Sequence, residues 1–113
     1  MHETGLASRF VEAAFEEAAR CGASRVKVVG ARVGVLQAVD VDHLVEDFAA
    51  LVRGTALDGA RLVVERPAAS ASCPACGASV PGEAGDTPCP RCGQAKLVTA
   101  TGLELTLAWI EVE

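Results

Sequence analysis

Cys73 with Cys76 and Cys89 with Cys92 form two C-x2-C pairs separated by twelve residues, and no other feature so limits what this chain can fold into. A tetrahedral Zn²⁺ takes four thiolates. Two short pairs deliver them at small entropic cost, because each closes only a small loop. The turn chemistry agrees, since the pairs read Cys73-Pro74-Ala75-Cys76-Gly77 and Cys89-Pro90-Arg91-Cys92-Gly93. Proline after the first cysteine presets φ and glycine after the second admits a positive φ, so backbone N–H groups curl toward the sulfurs. Spacing and turns together favour a zinc ribbon over two disulfides or a redox C-x2-C.

All five prolines fall between Pro67 and Pro90, which marks Pro67 to Gly93 as loop-rich. A segment of about 30 residues buries too little apolar surface to fold alone, so the metal is expected to act as its core. Ribbons often bind nucleic acid, but residues 69–97 hold only Arg91 and Lys96 as cations and no aromatic residue. The whole chain carries a formal charge of −5. Four thiolates on one Zn²⁺ leave a further −2, for a total of about −7. A nucleic-acid partner therefore lacks its electrostatic footprint. Catalysis is disfavoured too: four thiolates leave zinc no open position, and no Ser/His/Asp set or Gly-rich phosphate loop is present. From the cysteines alone, the expectation is an architectural or protein-interaction module.

The flanking sequence is periodic. Leu6, Phe10, Val11, Ala13, Ala14, Phe15 and Ala18 recur at helical spacing, and Cys21-Gly22 ends the run with Gly22 as the cap. Cys21 lies outside both pairs and is expected to pack as a small apolar residue near the helix end. Arg25 to Gly34 predicts a strand kinked at Gly30. Leu44, Val45, Phe48, Leu51 and Val52 predict a second amphipathic helix that starts near Asp40 or Asp42 and closes at Gly54. His43, the only histidine besides His2, should be solvated on it. Ala60 to Glu65 and Leu103 to Glu113 predict two more strands, the last with Leu103, Leu105, Leu107 and Trp109 on one face until the phase slips at Ile110.

The order α, β, α, β, cysteine loop, β implies an α+β fold in which two helices cover a three-stranded sheet. Residues 1–68 and 98–113 form that domain, and residues 69–97 are a four-cysteine zinc ribbon inserted between two of its strands. At 113 residues, half of them apolar, the chain can bury a real core. No stretch resembles a signal peptide or a membrane span, so the expected location is the cytoplasm, where thiols stay reduced and paired cysteines hold metal.

The chain opens Met1-His2-Glu3. An α-amine, backbone amides, an imidazole and a carboxylate then lie within two residues and can converge on one ion through small chelate rings. Nitrogen donors in a plane suit Ni²⁺ or Cu²⁺.

With its opening Met1-His2-Glu3, helix ends near Gly22 and Gly54, Gly34 six residues before Asp40, the two cysteine pairs and a closing strand, the chain resembles the HypA/HybF family. These are hydrogenase nickel-incorporation proteins, that is, nickel metallochaperones. The likeness covers essentially the whole length. It implies Ni²⁺ as cargo at the amino terminus on His2, with Glu3, the Met1 amine and backbone amides, and sometimes the residue matching Asp40. It also implies structural Zn²⁺ on Cys73, Cys76, Cys89 and Cys92, and no enzymatic activity. The implied partners are the [NiFe]-hydrogenase large-subunit precursor, a HypB-like GTPase of the nickel pathway and, for some members, urease maturation factors. Where family members usually follow MHE with a bulky residue and serine, this chain has Thr4-Gly5, and Thr4 is read as the cap of the first helix.

Overall fold

The computed structural model describes residues 3–113, with side chains from Gly5 onward. Met1 and His2 and the side chain of Glu3, the expected nickel ligands, lie outside the described residues. The first helix, α1, spans Glu3–Arg20, so Thr4 is a helical residue rather than its cap. Leu6, Ala7, Phe10, Ala14 and Ala18 are buried along one face, while Phe15, expected on that face, is exposed at its rim. The helix stops as expected at Gly22. Ala23 N–H donates to Ala18 O at 2.9 Å and Gly22 N–H to Ala19 O at 3.2 Å, the paired bonds of a Schellman end. Cys21 is exposed there, contrary to expectation: the chain has already turned away from the core.

Strand β1 (Val26–Val33) pairs in parallel with β2 (Arg61–Glu65), from Val28 opposite Arg61 to Arg32 opposite Glu65. The helix α2 (Val41–Val52) forms the crossover between them. Strand β6 (Leu105–Val112) takes the other side of β1, giving the order β2-β1-β6. Arg25 faces Glu113 at 3.7 Å and Lys27 faces Glu111 at 4.0 Å, so β6 runs antiparallel to β1. The helices pack on each other, with α1 also over β6 and α2 over β2. Leu6, Phe10, Leu44, Phe48 and Val52 from the helices, with Val29, Ala31 and Leu62 from the sheet, are buried. Full burial of each such Leu, Phe or Val contributes about 1.5–3 kcal/mol. This is the α+β arrangement that the periodicity implied.

The last strand departs from its expected pattern. Leu105 and Leu107 are half-buried, but so are Ala108 and Ile110, so the phase shifts before Ile110. Trp109 is 38% exposed and lies across Gly30, where an added Cβ would fall 2.1 Å from the indole Cε2. Gly30 is therefore required by the ring above it, whereas the sequence suggested only a kink.

The segment read as loop contains a sheet of its own. Strands β3 (Ser70–Ser72), β4 (Ser79–Pro81) and β5 (Val98–Thr101) assemble in the order β4-β3-β5, with both pairings antiparallel. Two compact units result. One comprises the chain up to Arg32, Val39–Glu65 and Leu105–Glu113; the other is Val33–Ala38 with Arg66–Glu104. These edges differ from the expected 1–68 with 98–113 and 69–97, since residues 33–38, 66–68 and 98–104 all group with the cysteines. Among the described residues no helix is long and apolar enough to cross a membrane.

Candidate metal centre

Strand β3 delivers Cys73 into a tight turn. Gly77 N–H donates to Cys73 O at 2.8 Å and Cys73 N–H to Ala78 O at 2.9 Å, after which Ala78 passes the chain to β4. The second pair repeats this pattern: Gly93 N–H donates to Cys89 O at 2.9 Å and Cys89 N–H to Ala95 O at 2.8 Å. Gly77 and Gly93 have φ of +77° and +68°, the values these turns were expected to need. Backbone amides then point at sulfur. Cys76 N–H reaches Cys73 Sγ at 3.5 Å, Arg91 N–H reaches Cys89 Sγ at 3.3 Å and Gln94 N–H reaches Cys92 Sγ at 3.4 Å.

The two turns bring all four sulfurs within 4.8 Å of one another. Cys73 Sγ is 3.6 Å from Cys92 Sγ, and Cys76 Sγ is 3.8 Å from Cys89 Sγ. A tetrahedron with metal–sulfur bonds of about 2.3 Å has edges of about 3.8 Å, so the spacing fits a Zn²⁺-sized ion. A disulfide needs about 2.05 Å, and all five cysteines are free thiols. Cys73 and Cys89 are buried, Cys92 is half-buried and Cys76 is exposed. Ala78 packs with the two buried cysteines, and Cys92, Ala95 and Leu97 pack against them, so the cluster is the middle of its own small core.

The sulfurs differ in acidity. The backbone N–H groups of Cys92 and Arg91 pull the Cys89 thiol down to about 6, and the N–H of Cys76 lowers Cys73. The N–H of Ala78 acts on Cys76 in the same sense. It is outweighed by desolvation of the sulfur and by the neighbouring Cys73, Cys92 and Cys89, and Cys76 rises to about 11. Metal capture therefore starts from a ready thiolate at Cys89, with Cys73 shifted in the same direction, and must displace a proton from Cys76. Four sulfur ligands would close a tetrahedral ion's coordination and leave no position for water, which is the chemistry of a structural site.

The described sequence candidates Asp40 and His43 have local partners of their own. Asp40 caps α2: its Oδ1 accepts from His43 N–H at 3.2 Å. His43 itself is exposed, with Nε2 3.5 Å from Asp47 Oδ1. Among the described residues, no second group of three or more His, Cys, Asp or Glu gathers as the cysteines do. Sequence inspection missed Arg66, whose guanidinium donates to three carbonyls, those of Val33 at 2.7 Å, Gly34 at 3.0 Å and Gln37 at 2.9 Å. A lone arginine at the start of a proline-rich stretch carries no pattern that could have flagged it.

Comparison with known proteins decides the family. The HypA family model, described as hydrogenase/urease nickel incorporation, metallochaperone, matches residues 1–112. The chain belongs to the HypA family. Among curated HypA hydrogenase maturation factors, it is 35% identical to that of Chlorobaculum tepidum over the full length of both chains. It is 40% identical to that of Roseiflexus sp. (strain RS-1), covering all of this chain and 93% of the other. Two solved HypA structures share the fold. A solution structure of HypA protein superposes with a TM-score of 0.79 at 22% identity, covering 100% of this chain and 97% of the other. That of the nickel metallochaperone HypA from Helicobacter pylori gives 0.73 at 21%, covering 99% and 97%.

Proposed function

We propose that this HypA-family chain is a nickel carrier. It binds Ni²⁺ at its amino terminus and releases it for [NiFe]-hydrogenase maturation, while Cys73, Cys76, Cys89 and Cys92 hold a structural Zn²⁺. The observation that carries this is the family match over residues 1–112 in a chain that opens Met1-His2-Glu3. His2 supplies an imidazole nitrogen, the Met1 amine and the backbone amides of His2 and Glu3 supply further nitrogens, and Glu3 assists exchange. A site at a chain end suits a carrier, since few rigid elements must move for the ligands to pass to an acceptor. Protons compete there. An imidazole and an α-amine ordinarily titrate at about 6.5 and about 7.7–8.0, so Ni²⁺ affinity is expected to fall on acidification through that range.

Zinc, when bound, supplies a fourfold cross-link to a unit whose buried residues are small. The fit of the sulfur spacing to a tetrahedral ion supports this assignment. The acceptor is the hydrogenase large-subunit precursor, in the cytoplasm, with a HypB-like GTPase as pathway partner and urease maturation factors as a second outlet.

The test is metal analysis with Ni²⁺ titration of the untagged protein and its His2→Ala variant. The expected result is zinc bound stoichiometrically in both and nickel bound tightly only by the unaltered chain. Full nickel affinity in His2→Ala overturns the site. Zinc without nickel binding in either protein leaves a ribbon that serves protein interaction alone.

A further inference from the structure

Residues 33–38 connect β1 to α2, yet their bonds run to the cysteine unit. Gly34 N–H donates to Glu104 O and Leu36 N–H to Gly102 O, both at 2.8 Å. Val35 N–H donates to Pro67 O at 3.0 Å, and the Gln37 side-chain amide donates to Leu103 O at 2.8 Å. The two backbones touch: a Cβ on Gly34 would lie 2.1 Å from the Gly102 carbonyl, so only glycine fits there. Glu104 stiffens the far side by accepting from Gly102 N–H at 2.7 Å. On the near side, residues 34–37 form a turn closed by Gln37 N–H to Gly34 O at 3.0 Å. The carbonyls of this turn and of Val33 converge on half-buried Arg66.

We propose that Arg66 is a positioning residue that latches the 33–38 segment onto the cysteine unit, so that the state of the four-cysteine cluster decides whether this segment is ordered. This rests on the assignment of a structural metal to that cluster. A planar guanidinium can serve three carbonyls at once through fixed N–H directions, which a neutral side chain of the same length cannot do. The other half of the clasp, residues 102–104, follows β5, and β5 is placed by pairing with β3, which ends beside Cys73. Strands of three, three and four residues over a core of Ala and Cys have no stability to spare. Without the metal the β3–β5 pairing is lost, residues 102–104 lose their anchor, and residues 33–38 become a loose tether ahead of the Asp40 cap.

Amide hydrogen exchange on the full chain tests this, comparing zinc-loaded and chelated protein and the loaded Arg66→Met and Arg66→Lys variants. Chelation should remove protection at Gly34, Val35 and Leu36 together with Gly77 and Gly93, while residues 28–31 of β1 keep theirs. Loaded Arg66→Met should keep its zinc and its protection at Gly77 and Gly93, but lose about tenfold at residues 34–37, the factor expected for one charge-assisted bond. Arg66→Lys should fall between. Retained protection at residues 34–36 after chelation of a zinc-loaded chain overturns the latch alone, and so does an unchanged Arg66→Met. Arg66→Met that loses zinc and all protection in the unit also overturns it, making Arg66 general scaffold. A chain without stoichiometric zinc overturns both the latch and the structural-metal assignment, and metal analysis shows this before any exchange measurement.

Discussion

The helix-and-sheet unit seals large side chains from water as well as small ones: Phe48, Leu6, Leu44, Leu57, Val29 and Val52 are all under 2% exposed, beside Ala7, Ala14 and Ala31. In the cysteine unit the sealed side chains are Ala71, Cys73, Ala78 and Cys89, joined by Val33 at the end of β1. The first unit can be stabilised by removing apolar surface from water, at about 25 cal/mol per Å². The second has too little such surface and must be held by bonds, either to a metal or through backbone pairing. Two folding principles thus coexist in one short chain, and each should fail under a different insult.

Metal removal is the largest of these. Structural zinc contributes about 10–16 kcal/mol in isolated zinc-finger peptides, so chelation should abolish amide protection at Cys73, Gly77, Cys89 and Gly93. The helical circular dichroism of α1 and α2 should persist. Loss of both signals together would mean that the units are not separately stabilised. Acid separates the folded cysteine turn from the unfolded one. Cys89 is held down to about 6 only while the backbone N–H groups of its turn point at the sulfur, so its contribution to stability is complete above the unfolded value and is lost as pH falls through about 6. A chelated chain that has lost this turn should show no thiolate persisting down to about 6, all its thiols having returned to the ordinary range of about 8.5. Ultraviolet thiolate absorbance of the metal-free protein, followed downward in pH, reads this, and a thiolate that persists to about 6 would mean that the turn holds without metal.

The opposite insult is a hole in the apolar core. Phe48→Ala should cost about 3–5 kcal/mol in urea unfolding of the helix-and-sheet unit while leaving zinc content unchanged. Zinc loss in this variant would break the comparison. A subtler change tests the contact between β1 and β6 in the same sheet. Gly30→Ala places a methyl where the Trp109 indole lies. The ring must move, at a cost of about 1–3 kcal/mol. Trp109 is the chain's only tryptophan, so its emission should shift to the red as the ring leaves the sheet. An unshifted spectrum with unchanged stability would show that the ring is not held there.

These contrasts also explain what could be read from the sequence. Both helices and the three strands of the larger sheet announce themselves because buried Leu, Val and Phe recur with the period of the element that buries them. The cysteines announce themselves through spacing. The sheet β4-β3-β5 gives no such signal: Ser70–Ser72, Ser79–Pro81 and Val98–Thr101 are three or four residues long, and apart from Val80, Pro81 and Val98 they hold only Ser, Thr and Ala. Arg66 and residues 33–38 were hidden for a related reason, since a side chain bonding backbone carbonyls about 30 positions away leaves no local pattern. Trp109 was misplaced because alternation predicts which face a residue takes, but cannot foresee that a glycine on the neighbouring strand makes room for its ring.

Asp40 is where the smallest effect separates structure from cargo. Its carboxylate caps α2 by accepting from His43 N–H, which accounts for an acid at this position without any metal. Asp40→Ala should therefore lose about 1 kcal/mol of stability in urea, and Asp40→Asn should recover most of it, because asparagine caps as well as aspartate. Ni²⁺ titration of the two variants then discriminates. If capping is the whole role, both keep the affinity of the unaltered chain, and the contrast between a structural acid at Asp40 and a cargo site at His2 is sharpened. If Asp40→Asn retains stability but binds nickel several-fold more weakly, the negative charge itself acts on the cargo, and Asp40 joins His2 and Glu3 in the nickel site.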